Sequence, residues 1–118
     1  MRFLHSMLRV SDLERAVEFL ELLGLREVRR RESERGRFTL VFMETGSEGD
    51  LAQVELTYNW DETESYSGGR NFGHLAYEVE DIYEICDRMQ NHGVTILRPP
   101  RDGRKIVTPW FCIRSHIS

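Results

Sequence analysis

A glutamate sits where a glutamate is expensive. In the alternating stretch Leu51–Tyr58, Val54, Leu56 and Tyr58 share one face, while Gln53, Glu55, Thr57 and, just beyond, Asn59 share the other. A carboxylate in the middle of an apolar-flanked strand is costly to bury unless it is paired or bound to a metal ion. His5 and His74 sit in similar stretches, each at the head of a strand pattern. Two imidazoles and a carboxylate on inward strand faces form a donor set for a borderline-to-hard divalent ion, Zn²⁺, Ni²⁺, Co²⁺ or Fe²⁺. Each of the three, taken alone, reads as an ordinary hydrogen-bonded or surface residue. Their joint placement is what points to a metal.

That placement is set by a repeat. His5 to Glu14 reads HSMLRVSDLE, and from His74 the chain reads HLAYEVEDIY. The offset, 74 minus 5, is 69 residues, and it pairs Val10 with Val79, Asp12 with Asp81, Leu13 with Ile82, Leu20 with Met89 and Gly24 with Gly93. Chance similarity between two amphipathic helices would explain the apolar matches but not His, Asp and Gly together in register. The pattern predicts two copies of one unit with a site between the modules.

The elements follow in order. Residues 2–10 alternate, with Phe3, His5, Met7 and Arg9 on one face and Leu4, Leu8 and Val10 on the other. Ser11 is expected to cap a helix, with Glu14 completing a capping box, Leu13, Ala16, Val17, Leu20 and Leu23 as its buried stripe and Gly24 as its stop. Strands are expected over Leu25–Arg31, turned by Gly36 into Phe38–Glu44, and over Leu51–Tyr58. Module one, about 1–58, is therefore β-α-β-β-β, and the polar segment Asn59–Arg70 is a linker. Module two, about 71–118, is expected to run as strand Phe72–Val79, helix Asp81–Gln90, strand Val94–Leu97, a basic turn around Arg98, Arg101, Arg104 and Lys105, and strand Ile106–Ile113, weakened by Pro109. The whole is a single α+β domain over 1–118, in which the second module lacks its last strand.

Spacing adds a ligand-shaped clue. His5 to Arg9 and Glu55 to Asn59 are each four residues apart on one strand face, about 13 Å at the ~3.3 Å rise of a strand. A metal at one end with Arg9 and Asn59 at the other suits an elongated anionic substrate with a chelating head. Read singly, Arg9 is a snorkelling surface residue and Asn59 a strand terminator.

Composition narrows the class. The 118 residues are 40% hydrophobic and 31% charged, with 16 basic and 20 acidic side chains for a net charge of −4. Such a chain forms a globular core, and its net charge argues against nucleic acid or an anionic membrane as the general partner. The two cysteines, Cys86 and Cys112, have no metal-finger spacing and fit a reducing compartment. The start shows no signal-peptide run, so a cytoplasmic location is expected.

HSMLRVSDLERAVEF, VELTYNW and FGHLAYEVEDI resemble glyoxalase I (lactoylglutathione lyase) of the vicinal-oxygen-chelate superfamily, over about residues 1–107. The resemblance implies paired βαβββ modules and a homodimer with metal sites at its interface. It implies isomerisation of the hemithioacetal of methylglyoxal and glutathione to S-lactoylglutathione, with nickel or cobalt favoured and zinc an alternative. By resemblance, His5, Glu55 and His74 match metal ligands, with Glu55 also moving the proton. His74 thereby also meets the substrate head, and Arg9 and Asn59 match contacts to glutathione carboxylates. The turn Arg101–Lys105 falls where the family also holds glutathione.

The family's fourth ligand is a Glu on the last strand of module two, and the 69-residue offset would place it at position 124, beyond Ser118. Activity is therefore expected to be impaired, with His116 the remaining imidazole near the end. Two rivals of the same fold remain: a non-catalytic binder of a small ligand or metal, and a ring-cleaving dioxygenase using His5, His74 and Glu55 as a facial triad, which the ELTYNW string argues against.

Overall fold

The computed structural model describes residues 1–107, and they divide into two compact units within the expected linker, Met1–Ser67 and the chain from Gly68 onward. The first unit holds β1 (His5–Arg9), α1 (Leu13–Leu23), β2 (Arg26–Ser33), β3 (Phe38–Glu44) and β4 (Gln53–Asn59), the β-α-β-β-β order expected. Its sheet runs β1-β4-β3-β2, with β1 parallel to β4 and the other neighbours antiparallel.

One face of this sheet is the core. Val41 and Met43 of β3 and Val54 and Leu56 of β4 are buried with Val10, Leu25 and the α1 residues Leu13, Ala16, Val17, Phe19, Leu20 and Leu23. Strand alternation fixes the consequence: Glu55 and its neighbours on odd positions of β4 face the other way. α1 lies against β2 and β4, and Arg30 straps β2 to the helix by bonding Glu14 at 2.7 Å and Glu27 at 2.7 Å. Those two carboxylates raise the Arg30 pKa above its ordinary value.

Two local expectations change. The cap of α1 is Asp12, not Ser11: its extended backbone (φ −130°) and its carboxylate, which accepts from the Arg15 amide at 3.1 Å, make it the N-cap. In the β2–β3 turn the left-handed residue is Arg37 (φ 58°), not Gly36. Gly36 is needed for space instead, because a Cβ there would collide with the Phe38 ring. Arg37 is held by a two-pronged contact with Asp61 (3.0 and 3.1 Å) and stacks over Trp60, whose indole N–H donates to Thr39 Oγ1 at 2.8 Å. The Trp of the ELTYNW string thus ties the end of β4 to β3.

The second unit, as described, has β5 (Tyr77–Glu78), α2 (Ile82–Asn91) and β6 (Ile106–Val107), with β5 and β6 antiparallel. Asp81 caps α2 through the Tyr83 and Glu84 amides, as Asp12 caps α1. Among the described residues the expected strand Phe72–Val79 is seen as two residues, and Val94–Leu97 as no strand: Val94 returns its amide to Met89, and both are buried. Apart from Ile106 and Val107, the expected strand Ile106–Ile113 lies outside the described residues, as does His116. Among the described residues no helix is long and apolar enough to cross a membrane.

Candidate active site

The non-core face of the first unit's sheet carries the chemistry. Register lays it out in levels running from β1 to β2. His5 and Gln53 share one level, Met7, Glu55, Phe42 and Arg29 the next, and Arg9, Thr57, Leu40 and Arg31 the one after. Asn59, Phe38 and Ser33 complete the face.

His5 reaches diagonally across its level so that Nε2 lies 3.2 Å from Glu55 Oε2. The Glu55 side chain is only 13% exposed and the His5 side chain 40%, so the imidazole is the more open member of the pair. A buried carboxylate needs a partner, and His5 supplies it. The His5 ring also meets Phe42 edge to face, with centroids 5.8 Å apart and planes at 80°. Arg29 closes the far side of Phe42, its guanidinium carbon 3.9 Å from the ring centroid.

Of the residues singled out in the sequence, the sheet therefore brings His5 and Glu55 together and places Arg9 and Asn59 farther along the same face. His74 belongs to the second unit, in irregular chain ahead of β5. Among the described residues no group of three or more His, Cys, Asp or Glu is gathered to hold a metal ion. One imidazole nitrogen and one carboxylate oxygen at 3.2 Å are nevertheless donors of the right kind for a borderline-to-hard divalent ion, and their chemistry fits one.

Three residues of this face, Phe42, Arg29 and Arg31, escaped sequence reasoning, and a fourth, Thr57, was placed on it without a role. Thr57 is 8% exposed, and among the described residues its Oγ1 has no hydrogen-bond partner. Phe42 reads as an ordinary strand aromatic. Arg29 and Arg31 were hidden by a bulge: the β2–β3 register shifts between Glu27 and Arg29, so the extra residue Val28 flips the parity of everything after it. The only available signal was the run of arginines itself.

Residues 4–108 match the model of the glyoxalase/bleomycin resistance protein/dioxygenase superfamily. The chain belongs to that superfamily. It is 43% identical over 111 residues to the lactoylglutathione lyase of Neisseria meningitidis serogroup A, spanning 91% of this chain and 80% of that protein. It is 42% identical over 101 residues to a probable lactoylglutathione lyase of Synechocystis, spanning 85% and 76%. Among solved structures it resembles the glyoxalase I of Leishmania major, described as trypanothione-dependent, with a TM-score of 0.79, 37% identity and coverage of 92% of this chain and 78% of that one. Within the superfamily this chain is an enzyme of the glyoxalase I type.

Proposed function

We propose that the protein is a metal-dependent lactoylglutathione lyase that isomerises the methylglyoxal–glutathione hemithioacetal to S-lactoylglutathione. The observation that carries this reading is the His5–Glu55 pair, 3.2 Å apart on the non-core face of a chain whose relatives are lactoylglutathione lyases. His5 and Glu55 would hold the ion. The support for His74 as a third ligand is its register with His5 in the repeat. A bound divalent ion supplies Lewis acidity toward the two vicinal oxygens of the substrate. Nickel or cobalt is our preferred metal, with zinc the alternative.

The reaction moves a hydrogen from C1 of the hemithioacetal to C2 and the hydroxyl hydrogen from O1 to O2, leaving a thioester and a secondary alcohol. No external oxidant or reductant is consumed. Glu55 accepts the carbon-bound proton and returns it to the neighbouring carbon, a transfer that needs a carboxylate shielded from water. His5 orients that carboxylate. Arg9 and Asn59 receive the anionic tail of glutathione; the Asn59 carbonyl oxygen already accepts from the Tyr66 hydroxyl at 3.4 Å, and its amide N–H groups are the donors for that tail. The hydroxyl of Thr57, beside Arg9 in register, is buried with no partner among the described residues, and it would meet the same tail only once uncovered. A homodimer and a cytoplasmic location belong to the same proposal.

The test is thioester formation from methylglyoxal and glutathione after loading with Ni²⁺, Co²⁺ or Zn²⁺, together with metal stoichiometry. Loaded protein should turn over at least a hundredfold faster than its Glu55→Ala variant, following the usual loss on removal of a positioned base. No turnover above that variant with any metal would sink the reading.

A further inference from the structure

The site face is asymmetric in a way that the proposed reaction with methylglyoxal leaves unused. From the His5–Glu55 pair, one arm runs along β1 and β4 to Arg9 and Asn59. A second arm runs across the strands, over Phe42 and Leu40, to Arg29 and Arg31 on β2. Strands are about 4.8 Å apart, so the backbone of Arg29 stands two strands, about 10 Å, from that of Glu55; its guanidinium reaches back over Phe42, and Arg31 lies one level farther. A methyl group covers only the start of that path. Leu40 gives the second arm an apolar floor, and Arg29, lying over Phe42, and Arg31 make it cationic.

The cations at that end are available to a ligand. Arg31 is exposed and makes no ion pair among the described residues. The carboxylates on this face are already engaged: Glu55 with His5, and Glu44 with the Gln53 side chain at 2.8 Å. Glu27 bonds Arg30, and Glu32 alternates onto the opposite face from Arg31. Arg29 is anchored by its stack on Phe42.

We infer that Arg29 and Arg31 select hemithioacetals of α-oxoaldehydes whose substituent is extended, flat and ends in an anion such as a carboxylate or phosphate. The inference rests on the proposed lyase reading, and it names the substrate class for the aldehyde half. Leu40 would line the apolar middle of the substituent, and the guanidinium groups of Arg29, which lies over the buried Phe42 ring, and of Arg31 would hold its charged end. Arg is suited to this because its planar fork matches a carboxylate with two hydrogen bonds.

Binding decides the matter independently of turnover. Metal-loaded protein is titrated with S-benzylglutathione and S-(4-carboxybenzyl)glutathione, which differ only in the terminal carboxylate. The carboxylated conjugate should bind more tightly. Arg31→Gln should erase roughly three- to fivefold of that preference, the upper range for one exposed charge pair, while leaving the neutral conjugate unchanged. The preference should shrink as salt is raised. Equal affinities in the parent protein, binding of neither conjugate, or an equal loss for both conjugates in Arg31→Gln would overturn the inference. The last outcome would place Arg31 on the glutathione half. Kinetics then separate the two claims: turnover of phenylglyoxal hemithioacetal without a preference for 4-carboxyphenylglyoxal retains the lyase and discards the arginine arm, whereas conjugate preference without any turnover does the reverse.

Discussion

The His5 and Phe42 rings meet edge to face at 5.8 Å, although they lie on strands separated by β4. Phe42 is in turn covered by the Arg29 guanidinium, so the imidazole that pairs with Glu55 rests against an aromatic ring that is itself clamped. This stack limits the rotamers His5 can sample, and a proposed metal ligand held in one orientation gives up less entropy when it binds. Phe42→Leu should therefore weaken metal retention by roughly tenfold or more, the usual scale for residues that orient ligands. Competition with a chromophoric chelator measures it. Phe42→Ala should also lower unfolding stability by about 3–5 kcal/mol, because Phe42 is 6% exposed and its loss leaves a cavity. Retention unchanged in Phe42→Leu would show that His5 is oriented by Glu55 alone.

The two helices are capped by aspartates at equivalent points of the repeat, and the neighbouring serine takes no part. Asp12→Ala should cost about 1 kcal/mol in urea unfolding, and Asp81→Ala a similar amount for the second unit. Ser11→Ala should be nearly neutral. Reversed magnitudes at positions 11 and 12 would mean that the serine caps the helix in solution.

Much of the first unit could be read from the chain because its signals are local. The period-two pattern of β4 put Glu55, Thr57 and Asn59 opposite Val54 and Leu56, and burial follows that division for the two aliphatic residues. The parity of β1 likewise put His5 and Arg9 on one face. What resisted reading was set by tertiary geometry. A bulge at Val28 moves Arg29 and Arg31 onto the site face, and nothing in the string REVRRRES announces a bulge. The Ser11/Asp12 ambiguity is a one-residue choice between two good caps, decided by which backbone is extended at the helix entry. In the second unit a ladder forms only where a partner strand lies alongside: among the described residues β6 pairs with Tyr77 and Glu78, and the register puts the partners of residues 72–76 beyond residue 107. The repeat located His74 without saying what surrounds it.

The Arg37–Asp61 contact gives a pH signature. The Arg37 hydrogen bonds hold the Asp61 carboxyl below its ordinary value of 3.8. In the unfolded chain the carboxyl regains that value, so between the two pKa values the unfolded state binds more protons. The pair's contribution is complete above the unfolded value and disappears as pH falls through the lower folded one. Parent protein should thus melt slightly higher than Asp61→Asn at neutral pH, and the gap should close in strong acid. Both side chains are exposed, so the gap should also narrow with salt. A gap that widened on acidification would contradict the assigned direction.

Thr57 sets stability against function at one atom. Its hydroxyl is buried with no partner among the described residues, directly between Arg9 and Leu40 in register. An unsatisfied buried hydroxyl costs roughly 1–3 kcal/mol, whereas an apolar group of the same shape does not. Thr57→Val preserves the β-branched shape and removes only the hydroxyl, so the ligand-free protein should gain stability, by up to about 1 kcal/mol in urea unfolding. If the hydroxyl serves the anionic tail beside Arg9, the same variant should raise KM for the glutathione hemithioacetal severalfold with kcat nearly unchanged, and Thr57→Ser should restore it. A purely structural hydroxyl would move stability and leave KM alone. The stabilised variant that binds worse, and its rescue by serine, together identify a polar group kept for a ligand at the expense of the fold.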